Sequence, residues 1–146
     1  MEVANRQALR DYSLEDKFEA GIKLTGAEVK SVKEGKIILT TAFVKIVGND
    51  VLLINAAISP YKFSIVSNQD PKRTRKLLLH KREILKIKTR LASTGLTIVP
   101  LRCYTTHGLV KLEIALAKGK KQYEKREALR KKAVQREVER LVRGKI

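Results

Sequence analysis

Two histidines, His80 and His107, and one cysteine, Cys103, are the side chains best suited to acid–base, nucleophilic or metal chemistry. They make a poor catalytic set. A working histidine needs a partner to take a proton from or give one to, and neither histidine has one evident in its sequence surroundings. A single cysteine forms no internal disulfide and does not build a zinc site. Within the apolar stretch LTIVPLRCY it reads as a small strand residue. Hydrolysis of RNA would call for clustered carboxylates around metal ions or for paired histidines. The 15 Asp and Glu are instead scattered among 32 Lys and Arg. The sequence therefore reads as a non-enzyme, with no cofactor and no metal site.

Binding is the better-supplied chemistry. The formal net charge is +17 on 146 residues, which calls for a polyanionic partner to offset self-repulsion. The charge lies in two zones. From Lys118 to the C-terminus there are twelve basic residues against four acidic ones. An internal zone holds Lys72, Arg73, Arg75, Lys76, Lys81, Arg82, Lys86, Lys88 and Arg90, opposed by Glu83 alone. Two zones imply two contact surfaces. In the internal one, Arg73, Arg75, Lys76, Lys81 and Arg82 are expected on phosphates, Arg in forked geometry. A hydrophobic fraction of 43% supplies a core. No apolar run approaches the roughly 18 residues of a membrane span. The segment MEVANRQALRDY lacks a secretory h-region. The expected setting is cytoplasmic, with no membrane partner.

The elements that must carry these zones are legible in outline. Residues 12–24 read as extended. Thr25 and Glu28 form a capping box opening a helix over 26–34, with Val29 and Val32 as its apolar face and Gly35 as its stop. Residues 37–47 and 51–58 read as strands joined at Gly48-Asn49-Asp50, and 59–71 as a loop. A second helix is expected from Leu77 to about Ser93, its core stripe Ile84, Ile87 and Leu91, stopped by Gly95. Residues 96–104 read as a strand with an edge or bulge at Pro100, and 109–117 alternate cleanly after a turn at Thr106-His107-Gly108. Antiparallel strands with two short helices favour a small OB-like β-barrel, residues 1–117. Residues 118–146 form a basic tail whose thin apolar stripe, Val134, Val138, Leu141 and Val142, predicts helix only against an anion.

Several words of the sequence resemble one family. Phe18-Glu19-Ala20-Gly21-Ile22, Gly26-Ala27-Glu28-Val29-Lys30-Ser31, Ile58-Ser59-Pro60-Tyr61 and Asp70-Pro71 are similar to small protein B (SmpB), the bacterial tmRNA-binding family. Arg73, Arg75 through Lys81, Gly95-Leu96-Thr97, Ala117 through Lys121, and Lys125-Arg126 continue the match in order. The family usually has Thr at Ala27 and Asp at Glu124, and the distal tail matches only in character.

The resemblance implies an adaptor of trans-translation. Such a protein holds the tRNA-like domain of tmRNA and is delivered with elongation factor Tu, through alanyl-tmRNA, to ribosomes stalled on messages without a stop codon. The tail would enter the vacant mRNA channel beyond the decoding centre and contact small-subunit ribosomal RNA. Glu19, Leu78 and His80 match family positions that contact tmRNA. On chemistry alone, Glu19 could accept from a base amino or ribose hydroxyl, or simply form a surface ion pair. Leu78 could equally pack in the core, and His80 could stack on a base or merely begin a helix. Glu28 already serves as a cap partner. Gly119, Lys120, Lys121, Tyr123, Glu124, Lys125, Arg126, Arg130, Lys131 and Lys132 would engage the ribosome, with Tyr123 offering a ring for stacking. Composition fits a structural ribosomal protein equally well. That alternative predicts retention on subunits through high-salt washes, where a delivery factor should dissociate.

Overall fold

A computed structural model describes residues 1–62, 70–119 and 136. The middle of the expected loop, and every expected ribosome-binding residue from Lys120 to Lys132, lie outside the described residues. So does the tail's apolar stripe.

The chain opens with β1 (Glu2–Ala4) and a short helix α1 (Arg6–Asp11), followed by β2 (Tyr12–Ile22) and α2 (Gly26–Lys33). Then come β3 (Ile37–Ile38), β4 (Phe43–Val47), β5 (Asp50–Ile54) and β6 (Ala57–Ile58). The remainder is β7 (Arg75–Leu78), α3 (Lys81–Thr94), β8 (Thr97–Thr106) and β9 (Leu109–Gly119). Six antiparallel strands close on themselves in the order β8-β4-β5-β7-β2-β9, with β9 pairing back onto β8. β1 extends this sheet from β8, and β3 pairs with β6 in a separate ribbon. The architecture is mainly β with short helices, and ring closure makes it a barrel.

Inward-facing Ala20, Val51, Leu53, Leu77, Leu112, Ile114 and Leu116 are fully buried in the interior. α3 packs Ile87 into that core, flanked by Ile84 and Leu91, the expected stripe. Gly95 ends α3 at φ +59, the left-handed cap for which glycine carries no Cβ penalty. The capping box of α2 is present in both halves: the Thr25 hydroxyl accepts from the Glu28 amide at 3.3 Å, and Glu28 accepts from the Thr25 amide at 3.0 Å.

Two expectations need correction. The helix expected from Leu77 begins only after His80, because Arg75 and Leu77 point inward while Lys76 and Leu78 point outward. That period of two makes β7 a strand between β5 and β2, and α3 starts at Lys81. The strands expected over 37–47 and 51–58 are each interrupted, at residues 39–42 and at Asn55, whose φ is +68. Of the two readings open for Pro100, the structure has the bulge, with the register of β8 against β9 shifting between Pro100 and Arg102.

The N-terminus holds structure that no hydrophobic period announces. Asn5 is buried and caps α1, its side chain accepting from the Ala8 amide at 3.3 Å. Its side-chain amide donates to the carbonyls of Leu39 and Pro100 at 3.1 and 2.9 Å. α1 thereby covers a second small core of Ala8, Val99, Leu101, Ala115 and Ala117 on the outside of the barrel wall.

Candidate nucleic-acid interface

The internal basic zone divides into cations the fold consumes and cations it leaves exposed. Arg75 belongs to the first group. It is 1% exposed. Its guanidinium donates to Glu28 at 2.7 Å, to the carbonyls of Ala56 and Arg73 at 2.8 Å, and to that of Pro71 at 3.0 Å. With its donors spent in this way, it is a core residue and not a phosphate ligand. Arg73 also pairs with Glu28 and keeps part of its side chain outside. Burial by itself raises the Glu28 carboxyl pKa. The Thr25 amide and the two guanidinium groups outweigh that and hold it below its ordinary value. Glu28 is the cap partner the sequence implies, and beyond that it joins α2 to the start of β7.

Other cations are tied more loosely. Lys76 pairs with Asp50 at 3.1 Å, Lys88 donates to Asn49 at 3.0 Å, and Arg90 bridges Glu15 and Asp16 at 2.8 Å to the latter. Lys86 lies 5.9 Å from the Phe18 ring. Lys81 and Arg82 are exposed and have no partner among the described residues. Both stand in the first turn of α3, where a helix N-terminus already disfavours cations. Two unpaired cations there suit phosphate contact better than they suit stability.

Leu78 is 54% exposed, which sets aside its packing alternative. It stands opposite Gly21 of β2, and a Cβ at Gly21 would come within 3.3 Å of it. The β2–β7 pairing ends there; Glu19 lies two residues before Gly21 on β2, and His80 two residues after Leu78, where β7 has given way to the N-cap of α3. Glu19, Leu78 and His80 are all exposed. Glu19 and Leu78 thus lie on the same outward face of neighbouring strands, and His80, Lys81 and Arg82 follow Leu78 in the chain. Leu78 and Leu85 also line a groove of about 510 Å³ between β7 and α3, together with Lys76, Lys81 and Lys88. Apolar surface flanked by cations is the chemistry of base contact beside a phosphate chain. His80 also starts α3: Glu83 accepts from its backbone N–H at 3.1 Å.

Two neighbours of Glu19 escape the sequence reading. The Tyr104 hydroxyl donates to Glu19, and the Arg102 guanidinium lies 4.4 Å from the Tyr104 ring centroid. Their same-face spacing on β8 was the available signal, but the bulge hides which face that is. Cys103 between them is buried, and burial pushes its thiol up to about 12, so it is inert.

Gly119 ends β9 opposite Tyr12, at the far end of β2 from Glu19. Seven residues of strand separate Tyr12 from Glu19, about 23 Å. Among the described residues, no helix is long and apolar enough to cross a membrane, and no group of His, Cys, Asp and Glu is arranged to hold a metal.

The SmpB protein family model matches residues 2–144. The SsrA-binding protein of a Sulfurihydrogenibium species is 52% identical over 144 residues, covering 99% of this chain and 95% of that protein. That of Pseudothermotoga lettingae is 47% identical over 93% of each chain, and that of Lacticaseibacillus casei 49% identical over 97% of this chain and 90% of its own. A solved structure described as "tmRNA-SmpB: a journey to the center of the bacterial ribosome" contains a chain 40% identical to this one, with a TM-score of 0.67. It covers 81% of this chain and 83% of that one. A family model matching residues 2–144, with relatives about half identical over nearly the whole chain, places this chain in the SmpB family.

Proposed function

We propose that this protein is a non-enzymatic RNA adaptor of trans-translation, working in the cytoplasm. Its barrel, residues 1–117, binds the tRNA-like domain of tmRNA. Its tail, residues 118–146, enters the vacant mRNA channel of a stalled ribosome and contacts small-subunit ribosomal RNA. Elongation factor Tu takes part indirectly, through alanyl-tmRNA. The observation that carries the reading is the exposure of Glu19 and Leu78 on neighbouring strands β2 and β7, with exposed His80 following Leu78, about a strand's length from the tail root. The relatives' name, SsrA-binding protein, and the solved neighbour's description, which names tmRNA, SmpB and the bacterial ribosome, support the tmRNA and ribosome parts of this reading. Lys81 and Arg82 supply phosphate contacts, with Lys76 in the same groove as Lys81 and the outer part of Arg73 before the other end of β7. Gly119 and the tail residues Lys120, Lys121, Tyr123, Glu124, Lys125 and Arg126 supply ribosome contacts.

The test separates the two surfaces. Glu19→Ala, Leu78→Ala and His80→Ala are each expected to weaken binding of the tRNA-like domain about tenfold at fixed salt. Truncation after Lys118 is expected to retain that affinity and to abolish tagging of stalled nascent chains. Tagging by the truncated protein would refute the assignment of the tail.

A further inference from the structure

Register sets Glu19 of β2 directly opposite Glu113 of β9. Like charges in that position repel. β8 gives the two carboxylates different partners. Arg102 donates to Glu113 at 3.3 Å and to Glu2 at 3.2 Å. Tyr104 donates its hydroxyl to Oε2 of Glu19. The bulge between Pro100 and Arg102 makes this possible. Val99 and Leu101 face the outer core under α1, and Cys103 faces the barrel interior. The extra residue therefore turns Arg102 and Tyr104 outward, beside the two carboxylates.

The partners differ in one decisive respect. Arg102 neutralises Glu113. Tyr104 is uncharged, and burial together with Glu19 pushes its hydroxyl up to about 12, so it remains a proton donor at ordinary pH. A neutral donor orients a carboxylate without cancelling its charge. Oε1 of Glu19 has no partner among the described residues. Stacking of Arg102 on the Tyr104 ring holds the ring that carries the hydroxyl.

We propose that Tyr104 is a positioning residue for RNA recognition, fixing Glu19 so that its free oxygen meets a hydrogen-bond donor on an unpaired nucleotide: a base N–H or a ribose hydroxyl. This rests on the functional reading above. RNA donors of these kinds are displayed where bases are splayed out of a helix. A carboxylate already held in place loses less freedom on meeting them than one that is free to rotate.

The experiment uses the full chain and the tRNA-like domain of tmRNA. Tyr104→Phe keeps the ring and its stack and removes only the hydroxyl. It is expected to weaken binding about tenfold, the worth of one hydrogen bond to a charged group, with the slope of affinity against salt unchanged because no phosphate contact is lost. In a Glu19→Gln background the same change should alter affinity less than about twofold. A full tenfold loss in that background, or no loss from Tyr104→Phe alone, overturns the proposal. If Tyr104→Phe lowers the melting temperature, Glu19→Asp replaces it. Its shorter carboxylate withdraws from the hydroxyl, and wild-type affinity in that variant would overturn the proposal. A wild-type protein that shows no preference for this RNA over a control of equal length overturns the functional reading and this inference with it, which is distinct from lost coupling in a protein that binds.

Discussion

Glu28 is buried against two arginines where α2 meets the start of β7, whereas Glu19 stands on the outer wall with one neutral partner. The two are nine residues apart in sequence and chemically identical. At Glu28, the two guanidinium groups and a backbone amide use the carboxylate completely, and the outcome is a fixed joint. At Glu19, one oxygen is held and one is left over, and the outcome is a surface that can still bind. The arginines divide the same way. Arg75 contributes to the net charge of +17 but offers none of it to a ligand, while Arg82, seven residues on, offers all of it. Net charge measured on a sequence therefore overstates the charge a partner meets.

The sharpest way to break this contrast is to empty the Glu28 site. Glu28→Ala leaves Arg75 buried without its counter-ion and is expected to destabilise the fold by about 3–5 kcal/mol, read by urea unfolding. Replacing both partners, as Glu28→Gln with Arg75→Met, should recover a good part of that loss. A Glu28→Ala protein as stable as wild type would show that the joint does not support the barrel. Glu19→Gln should leave unfolding within about 0.5 kcal/mol of wild type, as befits an exposed side chain.

Acid gives a smaller effect at the same place. The Glu28 pKa is lowered in the folded protein, so its ionised form adds stability above the unfolded value near 4.5. That contribution is lost as pH falls through the lower folded value. Stability followed from pH 7 to about pH 3 should drop more steeply below 4.5 in wild type than in Glu28→Gln. Parallel curves would assign the acid sensitivity to other carboxylates. The smallest effect belongs to the free cations. Arg82→Ala should reduce the salt slope of RNA binding by about one and weaken binding of different RNAs uniformly, with unfolding unchanged. A change in stability instead would place Arg82 among the structural cations.

Local signals made much of the fold legible. The capping box at Thr25 and Glu28, the Ile84-Ile87-Leu91 stripe, the cap at Gly95 and the alternation of β9 each involve residues within a turn or two of one another. What escaped depends on distant partners. Arg75 and Glu28 are 47 residues apart, and nothing in the run RTRKLLLH says that its second arginine faces inward. The three leucines after Lys76 resembled the opening of a helix, and only pairing on both sides makes two of them strand. Asn5 works through carbonyls 34 and 95 residues away. At the candidate site, Glu19, Leu78 and His80 could be named from the resemblance, but Tyr104 could not, since a bulge reverses the face that simple alternation assigns to it.

The ring closure of β9 has a mechanical consequence. This strand runs straight into the basic tail and is hydrogen-bonded along its length to β2 on one side and β8 on the other. A pull on the chain beyond Gly119, directed along the strand, is shared between two ladders loaded in shear, so many bonds must yield together before the first is lost. Tension on the tail is thereby carried into the wall that holds Glu19 and Glu113, and the barrel can serve as the fixed end of a tether.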